Sequence, residues 1–190
     1  MSASAARRVP RGAGREALCR ALVRVVARDG LEGVTFRSVA REAGVTHGLA
    51  SYHFGTREAM IHEGLAWAAQ HAIDDSRIAH DAESLDDFAA DLPALIRDRP
   101  EEAIFQFRLA IEALRRPELL DDVRVSYDEY VEAVGQTLER FGLGRDPALA
   151  RVVFAALDGL NLQQLMYGDA ARAEQALAAL RRLLVAYRPE

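Results

Sequence analysis

Residues 35–60, TFRSVAREAGVTHGLASYHFGTREAM, decide how this chain is read. Thr35 is a good helix N-cap, and Phe36, Val39, Ala40 and Ala43 follow it at helical spacing. Gly44-Val45 makes a tight turn, Thr46 offers a second N-cap, and a second short helix runs to about His53. Helices of this length do not persist alone in water, so their apolar residues must pack against a neighbour. The pattern is a helix-turn-helix, whose second helix can lie in the major groove of DNA.

Charge supports that reading once it is divided along the chain. The 190 residues carry a formal net charge of -5. Residues 1–62 hold ten Arg against five acids, and the remainder fourteen Arg against twenty-four. A basic head on an acidic body suits a nucleic-acid module carried by another domain. All 24 basic residues are Arg. The single cysteine, Cys19, excludes an intramolecular disulfide and a Cys-based zinc finger, and it reads as a small buried residue. No apolar run reaches the roughly 18–20 residues that span a bilayer, and the N-terminus lacks a signal peptide's apolar core. A cytoplasmic, soluble protein is expected, without membrane contact.

Outward from the central stretch, residues 1 to about 11 read as a disordered basic arm in which Arg7, Arg8 and Arg11 face either solvent or a phosphate backbone. A first helix is predicted over 14–29, with Leu18, Leu22, Val25 and Val26 on one face. Val34, Phe36, Val39, Val45 and Phe54 are the candidate core of the head. Thr56 starts a long helix over about 57–79 that joins head to body. Ser84 is expected to cap another, kinked at Pro93. The helix from Pro100 to about Arg115 is apolar nearly all round, which predicts a buried central position. Further helices are predicted from Pro117 to about Phe141, from Pro147 to about Tyr167, and from Asp169 to about Tyr187. No run alternates as a strand would. The fold class is all-α, about nine helices, divided into an arm (1–13), a helix-turn-helix domain (14–58) and a body (59–190).

At 100° per residue, with Ala50 at the centre of the buried face, Gly48 and Tyr52 point outward, flanked by Leu49 and Ser51. His47 and His53 lie at the edges. A small residue permits close backbone approach, Leu49 can touch a thymine methyl, and hydroxyls bond phosphates or base edges. No cation lies on this helix, so Arg37, Arg41 and Arg57 must supply attraction. The helix starts at Thr35, Thr46 and Thr56 add backbone N–H groups.

The stretch resembles the N-terminal domain of the TetR family of bacterial one-component transcriptional regulators. The resemblance is carried by Gly30, Gly33, Thr35, Val39-Ala40, Ala43-Gly44-Val45, Thr46, Gly48, Tyr52-His53-Phe54 and Arg57-Glu58. It implies that Thr35 and Arg37 begin the supporting helix near DNA, that His47, Gly48 and Leu49 face base edges, and that Ser51, Tyr52, His53 and Arg57 meet phosphates. Two departures stand out: Ala50-Ser51 replaces a common Leu-Tyr, and Arg57 a common Lys. The resemblance further implies a ligand-binding and dimerisation body, a palindromic operator in double-stranded DNA, and a small-molecule inducer that releases a homodimeric repressor. No cofactor is implied.

Within the body, Ala173, Leu177, Leu180, Leu184 and Tyr187 form a stripe on the last helix. The preceding helix is apolar over a wide arc including Val153, Leu157 and Leu160. These are the candidate dimer residues, with Ala176 and Ala179 small enough for close helix approach. Candidate ligand-binding residues are Trp67, His71, Phe105, Arg108, Glu112, Tyr127, Asn161 and Gln164, with Gln106 and Tyr130 nearby. Arg108 and Glu112 stand at i, i+4 and can instead satisfy each other. Three rival readings remain. An enzyme lacks support from any Gly-rich phosphate loop, nucleophile elbow or HExxH. A metal- or metabolite-binding helical sensor whose ligand promotes DNA binding would draw on His62, His71 and His80, yet nine-residue spacing puts these on alternating faces. A helical interaction protein without DNA contacts is disfavoured by the basic head.

Overall fold

The computed structural model describes residues 13–76, 78 and 82–187. Nine α-helices and no strand occur among them. They are α1 (Ala13–Asp29), α2 (Phe36–Ala43), α3 (His47–Phe54), α4 (Arg57–Asp75), α5 (Leu92–Asp98), α6 (Pro100–Ala113), α7 (Pro117–Arg140), α8 (Pro147–Tyr167) and α9 (Ala170–Ala186), with a 3-10 turn at Leu31–Gly33. The basic arm and its Arg7, Arg8 and Arg11 lie outside the described residues, as does His80. No described helix is long and apolar enough to cross a membrane.

Local chemistry sets the boundaries. Thr35 and Ser38 form a reciprocal capping box on α2, and Thr56 Oγ1 accepts from Ala59 N at 3.0 Å to start α4. Asp146 and Asp169 cap α8 and α9 by accepting from Ala148 N and Arg172 N. Pro100, Pro117 and Pro147 occupy first helical positions, where a missing N–H costs nothing.

Two cores run through the molecule. The first joins Leu18, Leu22, Val25 and Val26 of α1 to Val34, Val39, Ala50, Phe54 and Met60, and continues into Phe105 and Leu109 of α6. Phe36 and Val45 pack against it half-buried. The second gathers Phe88, Tyr130, Val134, Leu138, Val153, Leu157, Leu177 and Leu184. Head and body thus share a core at α6. At Gly64 of α4 the backbone comes so close to α1 that an added Cβ would overlap Leu22 Cδ2, and Leu22 has no exposed surface in which to move. Gly64→Ala is expected to cost about 1–3 kcal/mol of stability through overpacking; unchanged urea unfolding would refute this close packing.

Four expectations about helices need correction. The long helix ends at Asp75, not near residue 79, with Ser76 buried behind it. Residues 84–90 form successive turns instead of a helix, held where Arg181 Nε and Nη2 donate to Phe88 O at 2.9 and 2.7 Å. Pro93 stands in the first turn of α5 and does not kink a longer helix, since that is where proline is tolerated without losing a hydrogen bond. Finally, α6 is not wholly buried. Ala103, Phe105, Leu109 and Ala113 face inward, while Ile111 and Leu114 are 64% and 74% exposed. Its neighbours, chiefly α1 and α7 with α5, α4 and α8, leave those two side chains uncovered.

Candidate functional site

The head presents a face built from α2 and α3. Gly44 takes the left-handed conformation (φ 69°) that ends α2, and Val45 N donates back to Ala40 O at 2.9 Å. This turn swings α3 so that Ala50 and Phe54 are buried. Thr46, His47, Gly48 and Tyr52 are exposed, Tyr52 at 83%. Thr46 occupies the N-cap without a side-chain bond to the helix and is exposed. Nothing lies within 4 Å of where a Gly48 Cβ would be. Ser51 is half-buried and donates to Gly48 O at 3.1 Å. Leu49 and His53 are half-buried beside Gly14 of α1. Thr35 and Arg37 are exposed at the start of α2.

The head's other arginines are mostly committed to structure. Arg24 and Arg28 both pair with Glu42, at 2.7 and 2.9 Å, and their hydrogen bonds hold the Glu42 carboxyl below its usual range. Arg15 pairs with Glu63 and Arg20 with Glu16. Arg57 does not project outward: its Nε donates to Val34 O at 2.9 Å and its Nη2 to Leu31 O at 2.6 Å. It fastens the 3-10 turn to α4. Among the described head arginines, Arg37 and Arg41 alone make no side-chain hydrogen bond or ion pair, though the Arg41 charge helps lower the Asp29 carboxyl, and they lie on one face of α2 at i, i+4. Arg41 therefore joins Arg37 as the available positive charge.

The body contains a cavity of about 50 Å³ bordered by α4, α5, α6, α7 and α8. Of the eight ligand-binding candidates, Asn161 alone lines it, together with Gln106 and Tyr130. Trp67 and His71 pack with ring centroids 4.0 Å apart and planes tilted by 32°, and line a separate cleft beside Cys19 and His62. The Trp67 Nε1 there is buried without a hydrogen-bond partner. Burial pushes the Cys19 thiol up to about 11, so it stays protonated at neutral pH. Phe105 belongs to the joint between head and body, and Arg108 donates to Val26 O of α1 at 3.3 Å. Glu112 pairs with Arg116 at 2.7 Å, not with Arg108. Gln164 is buried and donates to Pro93 O at 2.6 Å. Tyr127 stands edge-on to Phe154 at 5.4 Å, and burial pushes its phenol up to about 12. Among the described residues, no group of three or more His, Cys, Asp or Glu side chains is placed to hold a metal.

Sequence reasoning missed Arg99, Glu102, Phe154 and Asp158, all of which line the cavity. One signal was available: Asp158 is the sole charged residue between Arg151 and Asp169, a lone carboxylate on an apolar helix.

The candidate dimer residues also lie differently than expected. Val153, Leu157, Ala173, Leu177 and Leu184 are buried within the protomer's own core, and Leu160 and Leu180 are half-buried against it. The uncovered apolar seam is one step around each helix. On α8 it contains Val152, Ala155, Gly159, Leu162 and Met166, spaced three and four apart, with Val152 65% and Met166 69% exposed. On α9 it contains Ala176, Ala179, Leu183 and Ala186.

Comparison with known proteins agrees with this architecture. A family model described as bacterial regulatory proteins, tetR family, matches residues 18–63, and a tetracyclin repressor-like C-terminal domain model matches residues 80–186. A search of curated proteins found no match. Among solved structures, a putative TetR-family transcriptional regulator from Rhodococcus sp. is similar at 23% identity and TM-score 0.77, covering 90% of this chain and 98% of that one. A TetR-family member from Streptomyces coelicolor A3 is 29% identical at TM-score 0.64, covering 88% and 97%. The multidrug binding protein EbrR complexed with proflavin is 28% identical at TM-score 0.56, covering 90% and 99%. A helix-turn-helix head and a helical body, each matched by its own model and together accounting for most of the chain, place this protein in the tetR family of bacterial transcriptional regulators.

Proposed function

We propose that this protein is a homodimeric repressor that binds a palindromic operator and is released by a small organic molecule entering the body. The reading divides the chain into a head of residues 14–58 and a body of 59–190. The observation that carries it is the reach of α6. Glu102, Ala103 and Gln106 of its first turns line the cavity. Phe105 and Leu109 enter the core of the head, and Arg108 holds α1 through Val26 O. Arg116, just beyond its end, pairs with Glu32 of the 3-10 turn. A ligand that displaces α6 therefore changes the seat of the head directly, and a head spacing unsuited to the operator lowers affinity by population shift. In this arrangement α6, rather than α4 alone, is the lever. The small-molecule role is supported by EbrR, a multidrug binding protein complexed with proflavin or with imidazole.

On the DNA side, the chemistry requires two heads about 34 Å apart, each laying α3 in a major groove. Thr35, Arg37, Thr46, His47, Gly48 and Tyr52 form the contact face, with Arg41 beside it. Leu49, Ser51 and His53 sit at its edges, and Arg57 supports the face from behind. Mobility-shift titration against neighbouring promoter DNA is the test. Specific binding that weakens steeply with salt is expected, and no shifted species at low salt would refute the reading. Tyr52→Ala is expected to weaken operator binding about tenfold, as loss of one charge-assisted hydrogen bond would. Its melting temperature should not change, because the residue is 83% exposed and its ring stands edge-on to His53 with centroids 5.6 Å apart. Unaltered affinity would remove Tyr52 from the interface.

A further inference from the structure

We propose that the body cavity selects organic cations, with Asp158 neutralising the bound charge and the Tyr130–Phe154 pair forming the wall on which the cation lies. This deepens the reading of the cavity as the ligand site and rests on it. Three observations lead there.

The charges around the cavity do not balance. Among the described residues Arg99 is the only cation lining it, and that charge is already shared by Asp75 at 2.6 Å and Glu102 at 3.3 Å. Asp158 stands apart on α8 with no hydrogen bond or ion pair to any described residue. Burial holds its carboxyl above the usual range, with no compensating cation beside it. Its negative field also helps keep the Tyr127 and Tyr130 phenols protonated. Asp158 is half-buried, and an unpaired carboxylate partly withdrawn from water is stabilised when a proton or a cation reaches it. An anionic ligand would add to the imbalance. A neutral one would deepen the burial of Asp158 without pairing it.

The aromatic wall fits the same ligand. Tyr130 and Phe154 stack with centroids 5.2 Å apart and planes 9° from parallel, and Tyr127 braces Phe154 edge-on. Gln106 Nε2 donates to the Tyr130 hydroxyl, which fixes that ring. Aromatic faces attract cations, most strongly where water is excluded. The rest of the lining includes Leu92, Ile96, Ala103 and Leu157, so the matching molecule is lipophilic away from its charge.

Size connects binding to response. A cavity of about 50 Å³ is well below the roughly 150 Å³ that admits benzene. An aromatic or alkyl cation can enter only as the walls separate, and α6 is one of those walls. The ligand thus favours a widened form in which the helix seated under the head has moved.

The test uses the full-length protein and two dyes followed by fluorescence, the planar cation proflavin and the anion 8-anilinonaphthalene-1-sulfonate. Wild type is expected to bind proflavin at least tenfold more tightly than the anion. Asp158→Asn should weaken proflavin at least tenfold, and Asp158→Glu should stay within about threefold of wild type. Neither variant should melt lower than wild type, which a purely structural role for Asp158 would require. If Asp158→Asn binds proflavin as wild type does, while Leu95→Trp, which fills the cavity, abolishes binding, cation selection is overturned and the ligand site stands. Equal affinity for the two dyes also overturns the selection. If proflavin does not bind, or binds unchanged to a folded Leu95→Trp variant, the cavity reading itself fails along with it.

Discussion

Phe105→Ala is expected to lower the free energy of unfolding by about 3–5 kcal/mol, the range for deleting a fully buried aromatic ring. Phe105 has no exposed surface and lies where α6 meets the core of the head. The cluster that holds the ring is built from several elements that cannot collapse around the void independently. Leu18 and Leu22 are fixed by α1, which is itself pinned at Gly64 by close approach of α4. Urea unfolding followed by far-UV circular dichroism measures the effect, with a lower midpoint and an unchanged slope. On the proposed release mechanism the same variant should also respond less to a ligand in a DNA-release assay, because the α6 ring packed into the core of the head has been removed. A loss below about 1 kcal/mol would show that the joint is carried elsewhere.

If the protein is the proposed dimer, Leu162→Glu combined with Met166→Glu is expected to give a monomer and to lower operator affinity by about 10²–10⁴-fold, the gain that linking two binding modules confers. Both side chains are exposed in the single protomer, at 44% and 69%, so the substitutions leave its own core intact. Within a dimer seam each would bury carboxylates against their symmetry mates, since a two-fold interface places equivalent residues on both sides. Light scattering at micromolar concentration reads the assembly, and mobility shift reads the consequence for DNA. A variant that remains dimeric would move the interface away from this seam. The contrasting control is Leu177→Ala, whose side chain is 3% exposed and should destabilise the protomer without specifically separating the subunits.

Much of the head was legible from residue order because its determinants are local. Thr35 caps the helix that begins beside it, Gly44 supplies a left-handed turn where only a residue without a Cβ fits easily, and helical period alone turns Ala50 inward and Tyr52 outward. The prolines at 100, 117 and 147 mark helix starts for an equally local reason. Pro93 shows the limit: its neighbours look helical on both sides, and which turn it begins depends on Arg181 and Gln164 reaching across from α9 and α8 to hold the Phe88 and Pro93 carbonyls.

Partner choice was not legible. Arg57 carries a charge suited to phosphate, yet its guanidinium donates to the carbonyls of Leu31 and Val34. Arg108 and Glu112 have the spacing of an ion pair, but each meets a partner on another turn or another helix. The composition of α8 made Asp158 conspicuous, while the cavity it borders exists only because five helices converge there.

The sequence by itself determined an all-helical chain with a helix-turn-helix reader, since capping, turn conformation and amphipathic period act within a few residues of their cause. Tertiary structure decided which apolar face of α8 and α9 turns inward, which arginines stay unpaired, and where the cavity opens. The pattern on α8 contains two apolar faces, one at Val153 and Leu157 and one at Val152, Leu162 and Met166, and burial distinguishes them only once α7 and α9 have taken the first. A helix records in its own sequence how much of its surface is apolar, but the neighbour that covers each side is set by packing across the whole chain.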